Sequence, residues 1–121
     1  MRQMPKTVIH VFHDDDHSIT TGTRVAQRIQ EIAPDHDCGV EVFCFGPAQR
    51  RLTDGDASEA SATYNRQIDE LIAGGVVVGA CVNAARADGT EAELVRRGLN
   101  LRVARDEFLR FTLEQATVIT F

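Results

Sequence analysis

Apolar residues follow two rhythms along this chain. Short unbroken runs rich in Val, Ile and Phe alternate with longer stretches in which apolar positions recur every three or four residues. The first kind reads as strands buried on both faces, the second as amphipathic helices. Thr7–Phe12 predicts a first strand, interrupted only by His10, expected as a half-buried ring bonded to a neighbouring carbonyl. The polar stretch His13-Asp14-Asp15-Asp16-His17-Ser18 follows. A helix then carries Val25, Ile29, Ile32 and Ala33 on one stripe, with Asp16 or Ser18 as its cap and Pro34 as its stop. Val40–Phe45 is the second strand, closed by Gly46-Pro47.

From Ala48 to Ser61 the chain is polar and reads as a long connection, with Arg50 and Arg51 on its surface. Tyr64, Ile68, Leu71 and Ile72 mark the next helix, ended by Gly74-Gly75. The stretch around which the chain is organised comes next, Gly75-Val76-Val77-Val78-Gly79-Ala80-Cys81-Val82-Asn83-Ala84-Ala85-Arg86. It is a buried strand running into alanines of high helix propensity, so Cys81 stands where strand hands over to helix. Asp88-Gly89 breaks that helix. Thr90 with Glu93 forms a capping-box pattern for another, which runs to Gly98. Leu101 and Val103 alternate as a fourth strand. Asp106 is expected to cap a last helix with Phe108, Leu109, Thr112, Leu113 and Ala116 inward, and Thr117–Phe121 is a fifth strand. Strands alternating with helices predict one domain over residues 1–121, a three-layer α/β/α fold with a mainly parallel five-stranded sheet.

Composition narrows the partners. A 43% hydrophobic and 26% charged chain is ordinary for a globular domain. Net charge is −5 with Lys and Arg scattered, which argues against nucleic acid. The Met1–Lys6 segment has no apolar core of a secretory signal, and no apolar run approaches a membrane span, so a cytoplasmic setting is expected. Three cysteines at irregular spacing make neither a disulfide framework nor a zinc site. Gly-rich nucleotide loops and the Gly-x-Ser-x-Gly elbow are missing, so no cofactor is expected.

Cys81 is the candidate reactive group. Ligands collect outside the carboxyl ends of strands in open α/β sheets, and a helix start favours thiolate, the form that attacks sulfur. Asn83 is placed to bond a bound sulfur or cap the helix, and Arg86 to pair with an anion. Cys44 alternates with Val40 and Val42 and reads as a small buried hydrophobe, and Cys38 lies in a turn. His13 and His17, with Asp16 between, are a second candidate binding cluster, expected beside Cys81. They lack a third spaced ligand, so no metal is assigned to them. Cys81 also has a bland reading, since a cysteine ending an apolar strand is often just packing.

Over Val78-Gly79-Ala80-Cys81-Val82-Asn83-Ala84-Ala85-Arg86, and in the order of elements across most of the chain, the sequence resembles the DsrE/DsrF-like family, including its TusD-like sulfur-relay branch. The resemblance implies a small α/β/α domain assembling as a trimer or hexamer. It also implies a sulfurtransferase-like role, with Cys81 accepting sulfane sulfur from a donor protein and passing it to an acceptor. The chain departs from the relay branch after the first strand, where such carriers have a small Gly/Pro-containing loop and this one has His13–His17. The alternative is a non-catalytic oligomeric partner or ligand-binding protein of the same fold with Cys81 structural.

Overall fold

The computed structural model describes residues 4–54 and 57–121; Gly55 and Asp56 of the expected long connection lie outside them. The elements are β1 (Lys6–Val11), α1 (Asp16–Ile32), β2 (Gly39–Cys44), α2 (Gly46–Arg50), α3 (Glu59–Ala73), β3 (Val77–Cys81), α4 (Val82–Asp88), α5 (Glu91–Arg96), β4 (Asn100–Arg102), α6 (Ala104–Leu113) and β5 (Thr117–Thr120). Single 3-10 turns follow α1 (Ala33–His36) and α2 (Arg51–Thr53).

The sheet order is β4-β3-β2-β1-β5, and every pairing is parallel. That order decides which face each helix covers. Right-handed crossovers from β1 to β2 to β3 to β4 step in one direction and put their helices on one face. The chain then returns past β1 to reach β5, so α6 crosses the other face alone. Two cores result. The first face packs Ile9, Val11, Val42, Cys44, Val78 and Ala80 under Ile19, Ala26, Tyr64, Ile68, Ala85 and Leu94. The second gathers Val8, Phe43, Cys81, Ala104 and Phe111, with Phe45 and Phe108 against them.

Several expectations move. The Ala48–Ser61 connection is largely ordered as α2 and a 3-10 turn before α3 begins. Gly46 permits the turn into α2, because φ is +60° there and a side chain would run into the Phe12 ring. Asp15, not Asp16 or Ser18, caps α1: its carboxylate accepts from the Ser18 N–H at 3.1 Å and from the Ser18 hydroxyl at 2.7 Å. Those two bonds hold the Asp15 carboxyl below its ordinary pKa. The capping box at Thr90 does not form, and the Thr90 hydroxyl turns back to the Ala85 carbonyl. α6 starts at Ala104 with Val103 as its cap position, so Asp106 lies within the first turn instead of capping it. Its inward stripe is therefore Ala104, Glu107, Phe108 and Phe111, while Leu109 and Leu113 are 57% and 72% exposed. Among the described residues no helix is long and apolar enough to cross a membrane.

Candidate functional site

Cys81 is the last residue of β3, at the carboxyl end of the sheet, and N-caps α4. Its backbone outlasts its neighbour. β2 ends opposite Ala80, at Cys44, and turns into α2. Gln49 of α2, itself 3% exposed, fills the gap: its amide nitrogen donates to the Cys81 carbonyl and its amide oxygen accepts from the Cys81 N–H, each at 2.9 Å. Sequence reasoning left Gln49 in a polar connection, and nothing in its neighbours marks it as buried.

The thiol is not the open group that was expected. Cys81 is 6% exposed, on the second face, in a cluster with Phe43, Ala104 and Phe111 against which Phe45, Ala84 and Phe108 pack. The return of the chain to β5 is the cause, because it lays the start of α6 over the end of β3. Beside this cluster runs an open groove of about 920 Å³ between α6 and the β3–β4 edge. Val82, Arg86, Arg102, Val103 and Asp106 line its end nearest Cys81. Arg102 pairs in register with Cys81, so both side chains leave the sheet on one face. Among the described residues Arg102 has no carboxylate within 4.0 Å. Arg86 bonds Glu91 at 3.0 Å, and Asn83 is exposed.

The His13–His17 cluster is elsewhere. β2 separates β1 from β3, so the two candidate groups do not follow neighbouring strands. His13, Asp16 and His17 are exposed at the start of α1, which covers the first face. Arg51 ties that loop down, donating to the Asp14 carbonyl at 2.6 Å and to Ser61 at 2.8 Å, with Asp16 at 3.4 Å. Among the described residues no three His, Cys, Asp or Glu side chains converge as metal ligands.

His10 is the polar group that the strand pattern understated. It is 8% exposed on the second face, and its Nδ1 lies 3.0 Å from the Thr120 hydroxyl rather than on a carbonyl. Phe12, Phe43, Phe45 and Phe108 surround the ring, with centroids 5.0–6.3 Å away. Its Nε2 is buried without a partner among the described residues. Burial, and then the charge of His13, lower its pKa. At the opposite end of this face an ionic cluster links Lys6 and Arg110 with Glu41, Glu107 and Glu114.

No protein-family model matches the chain, and no curated protein matches it. Solved structures do, two of them as follows. The YchN protein of E. coli superposes with a TM-score of 0.70 at 18% identity, over 98% of this chain and 99% of its own. A conserved protein of unknown function from Bacteroides thetaiotaomicron gives a TM-score of 0.69 at 12% identity, over 94% of both chains. The likeness is one of fold.

Proposed function

We propose that this protein is a small thiol-based sulfur carrier acting as a homo-oligomer, with Cys81 as the group that takes and passes on sulfane sulfur. The observation that supports this reading is the placement of Cys81 at the carboxyl end of a central parallel strand, its backbone held by Gln49, with a groove running beside the cluster that buries it. That end of the sheet is where α/β folds place their chemistry. In the transfer the Cys81 thiolate attacks the outer sulfur of a donor persulfide. The donor S–S bond breaks, its inner sulfur leaves as a thiolate, and Cys81 carries the new persulfide until an acceptor thiolate repeats the exchange. No oxidant is consumed. Because Cys81 is buried in the single chain, the carrier must shift Phe45 and Phe108 when a donor docks.

Mass spectrometry after incubation with a sulfurtransferase and its sulfur donor tests the reading. One added sulfur on the Cys81 peptide is expected, absent in Cys81→Ala; an unmodified Cys81 beside a fully charged donor would overturn it. A second reading, in which Cys81 only packs a non-catalytic partner protein, is favoured by its 6% exposure. It predicts that Cys81→Ala keeps full function and costs about 1–3 kcal/mol of stability, as small core truncations do.

A further inference from the structure

The buried polar group that the transfer step leaves unused is His10. Its ring lies on the second face, 8% exposed, with Nδ1 3.0 Å from the Thr120 hydroxyl of β5. Its Nε2 is buried without a partner among the described residues. The two nitrogens of an imidazole point nearly opposite ways, so Nε2 is turned away from β5. In that direction the sheet runs through β2 to β3, the strand of Cys81.

Aromatic rings fill the space between. Phe45 and Phe108 lie 6.3 and 5.0 Å from the His10 ring, centroid to centroid. The same two rings pack against the cluster that holds Cys81, so the shift that opens Cys81 to a donor also uncovers His10. The register sets His10 opposite Phe43, and Phe43 opposite Gly79, two residues before Cys81 on one face. Two strand spacings and one pleat repeat separate the Cα atoms of His10 and Cys81 by about 12 Å. A direct bond between thiol and imidazole does not reach that far. A persulfide under attack does, because displacement at sulfur is in line. Cys81 Sγ, the outer sulfur and the inner sulfur then form a row about 4–5 Å long, its far end toward His10.

We propose, resting on the carrier reading of Cys81, that the His10 Nε2–H donates a hydrogen bond to the inner sulfur as it leaves. The bond from Sγ to the outer sulfur forms, the donor S–S bond breaks, and its electron pair stays on the inner sulfur. No proton is transferred. A fixed donor aimed where charge develops stabilises the transition state more than the ground state. The Thr120 hydroxyl, donating to Nδ1, keeps the ring proton on Nε2. Burial, and then the charge of His13, hold the ring neutral by lowering its pKa. At rest the N–H meets only the surrounding Phe rings, a second-order contact that a thiolate exceeds.

Proton–nitrogen correlation spectra of the histidine rings should show His10 as the Nε2–H tautomer. An Nδ1–H ring would overturn the proposal, since Nε2 would have no proton to offer. His10→Phe keeps a ring in the aromatic layer, and loading of Cys81 is then measured with low-molecular-weight persulfides made from thiols of graded pKa. The variant should load about tenfold more slowly from the poorest leaving groups, less than an oxyanion site loses because sulfur accepts hydrogen bonds weakly. The deficit should shrink as the leaving thiol becomes more acidic. A wild-type rate in His10→Phe, or one deficit for every donor, would overturn the role of His10 and leave the carrier reading standing. Wild-type Cys81 that takes sulfur from none of these donors would overturn both.

Discussion

Gln49 takes the place of a strand for Cys81, bonding its N–H and its C=O through one side-chain amide. The Cys81 carbonyl also accepts the first bond of α4, so removing the amide leaves the buried Cys81 N–H as the group without a partner. Gln49→Leu, close in volume, should lower stability by about 1–3 kcal/mol, the cost of one unsatisfied buried donor. Urea unfolding measures this as a lower midpoint at constant slope. A midpoint unmoved by the substitution would mean that water reaches the end of β3.

The central strands were readable because they are buried on both faces and so appear as nearly unbroken apolar runs, as in Val8–Val11 and Val42–Cys44. Strand order was not readable. The local pattern of Thr117–Phe121 does not say that it pairs with β1, and that pairing sends α6 across the second face and covers Cys81. Leu109 and Leu113 misled for a related reason. Helical spacing marks a stripe, but the start of α6 at Ala104 rotates the stripe toward Phe108 and Phe111. Of the candidate site, the position of Cys81 where β3 hands over to α4 was legible from the apolar run before it and the alanines after it. Gln49 and Arg102 were not, because a lone Gln or Arg in a polar run carries no periodic signal.

Glu41 stands on the sheet floor with its side chain 8% exposed, held by Lys6 at 3.0 Å and by Arg110. Glu107, then Glu41, raise the Arg110 pKa. Burial pulls the Lys6 ammonium down, but its bonds to Glu114 and Glu41 outweigh it and leave its pKa raised. Arg110→Met keeps the stem and strips the charge from two nearly buried carboxylates. Breaking a fully buried pair costs about 3–5 kcal/mol. Here the Arg110 side chain is 35% exposed, and water screening should reduce the cost to about 1–3. Arg110→Met combined with Glu41→Gln should recover part of the loss in thermal melts; additive losses would mean that the two do not interact.

His10 resists protonation in the fold, because an imidazolium there would sit among Phe12, Phe43, Phe45 and Phe108 with the charge of His13 nearby. The unfolded chain then binds a proton that the native state refuses. Stability is therefore complete above the unfolded histidine pKa of about 6.5 and falls as pH drops from there toward the lowered folded value. His10→Phe places another ring in the same aromatic shell and removes this titration. Urea unfolding free energies of the two proteins should run parallel above about pH 7 and diverge below about 6.5, the wild type falling faster. Curves parallel through the whole range would show that His10 takes up its proton without strain.

The three thiols occupy three environments, and alkylation rates should rank them. Cys38 is partly exposed, with its thiol 3.3 Å from the His36 carbonyl. Cys81 is 6% exposed beside the groove, and Cys44 is wholly enclosed in the first-face core with burial pushing its thiol up to about 11. Only thiolate reacts, and only where reagent reaches it. With iodoacetamide at mildly alkaline pH, peptide mass spectrometry should find Cys38 modified first, Cys81 slowly and Cys44 only at the rate of global unfolding. Low urea separates the last two: local opening of Phe45 and Phe108 should speed Cys81 well below the unfolding midpoint and leave Cys44 unchanged. If Cys81 and Cys44 instead react together, the second face opens only when the whole domain unfolds, and a carrier built on Cys81 has no way to meet its donor.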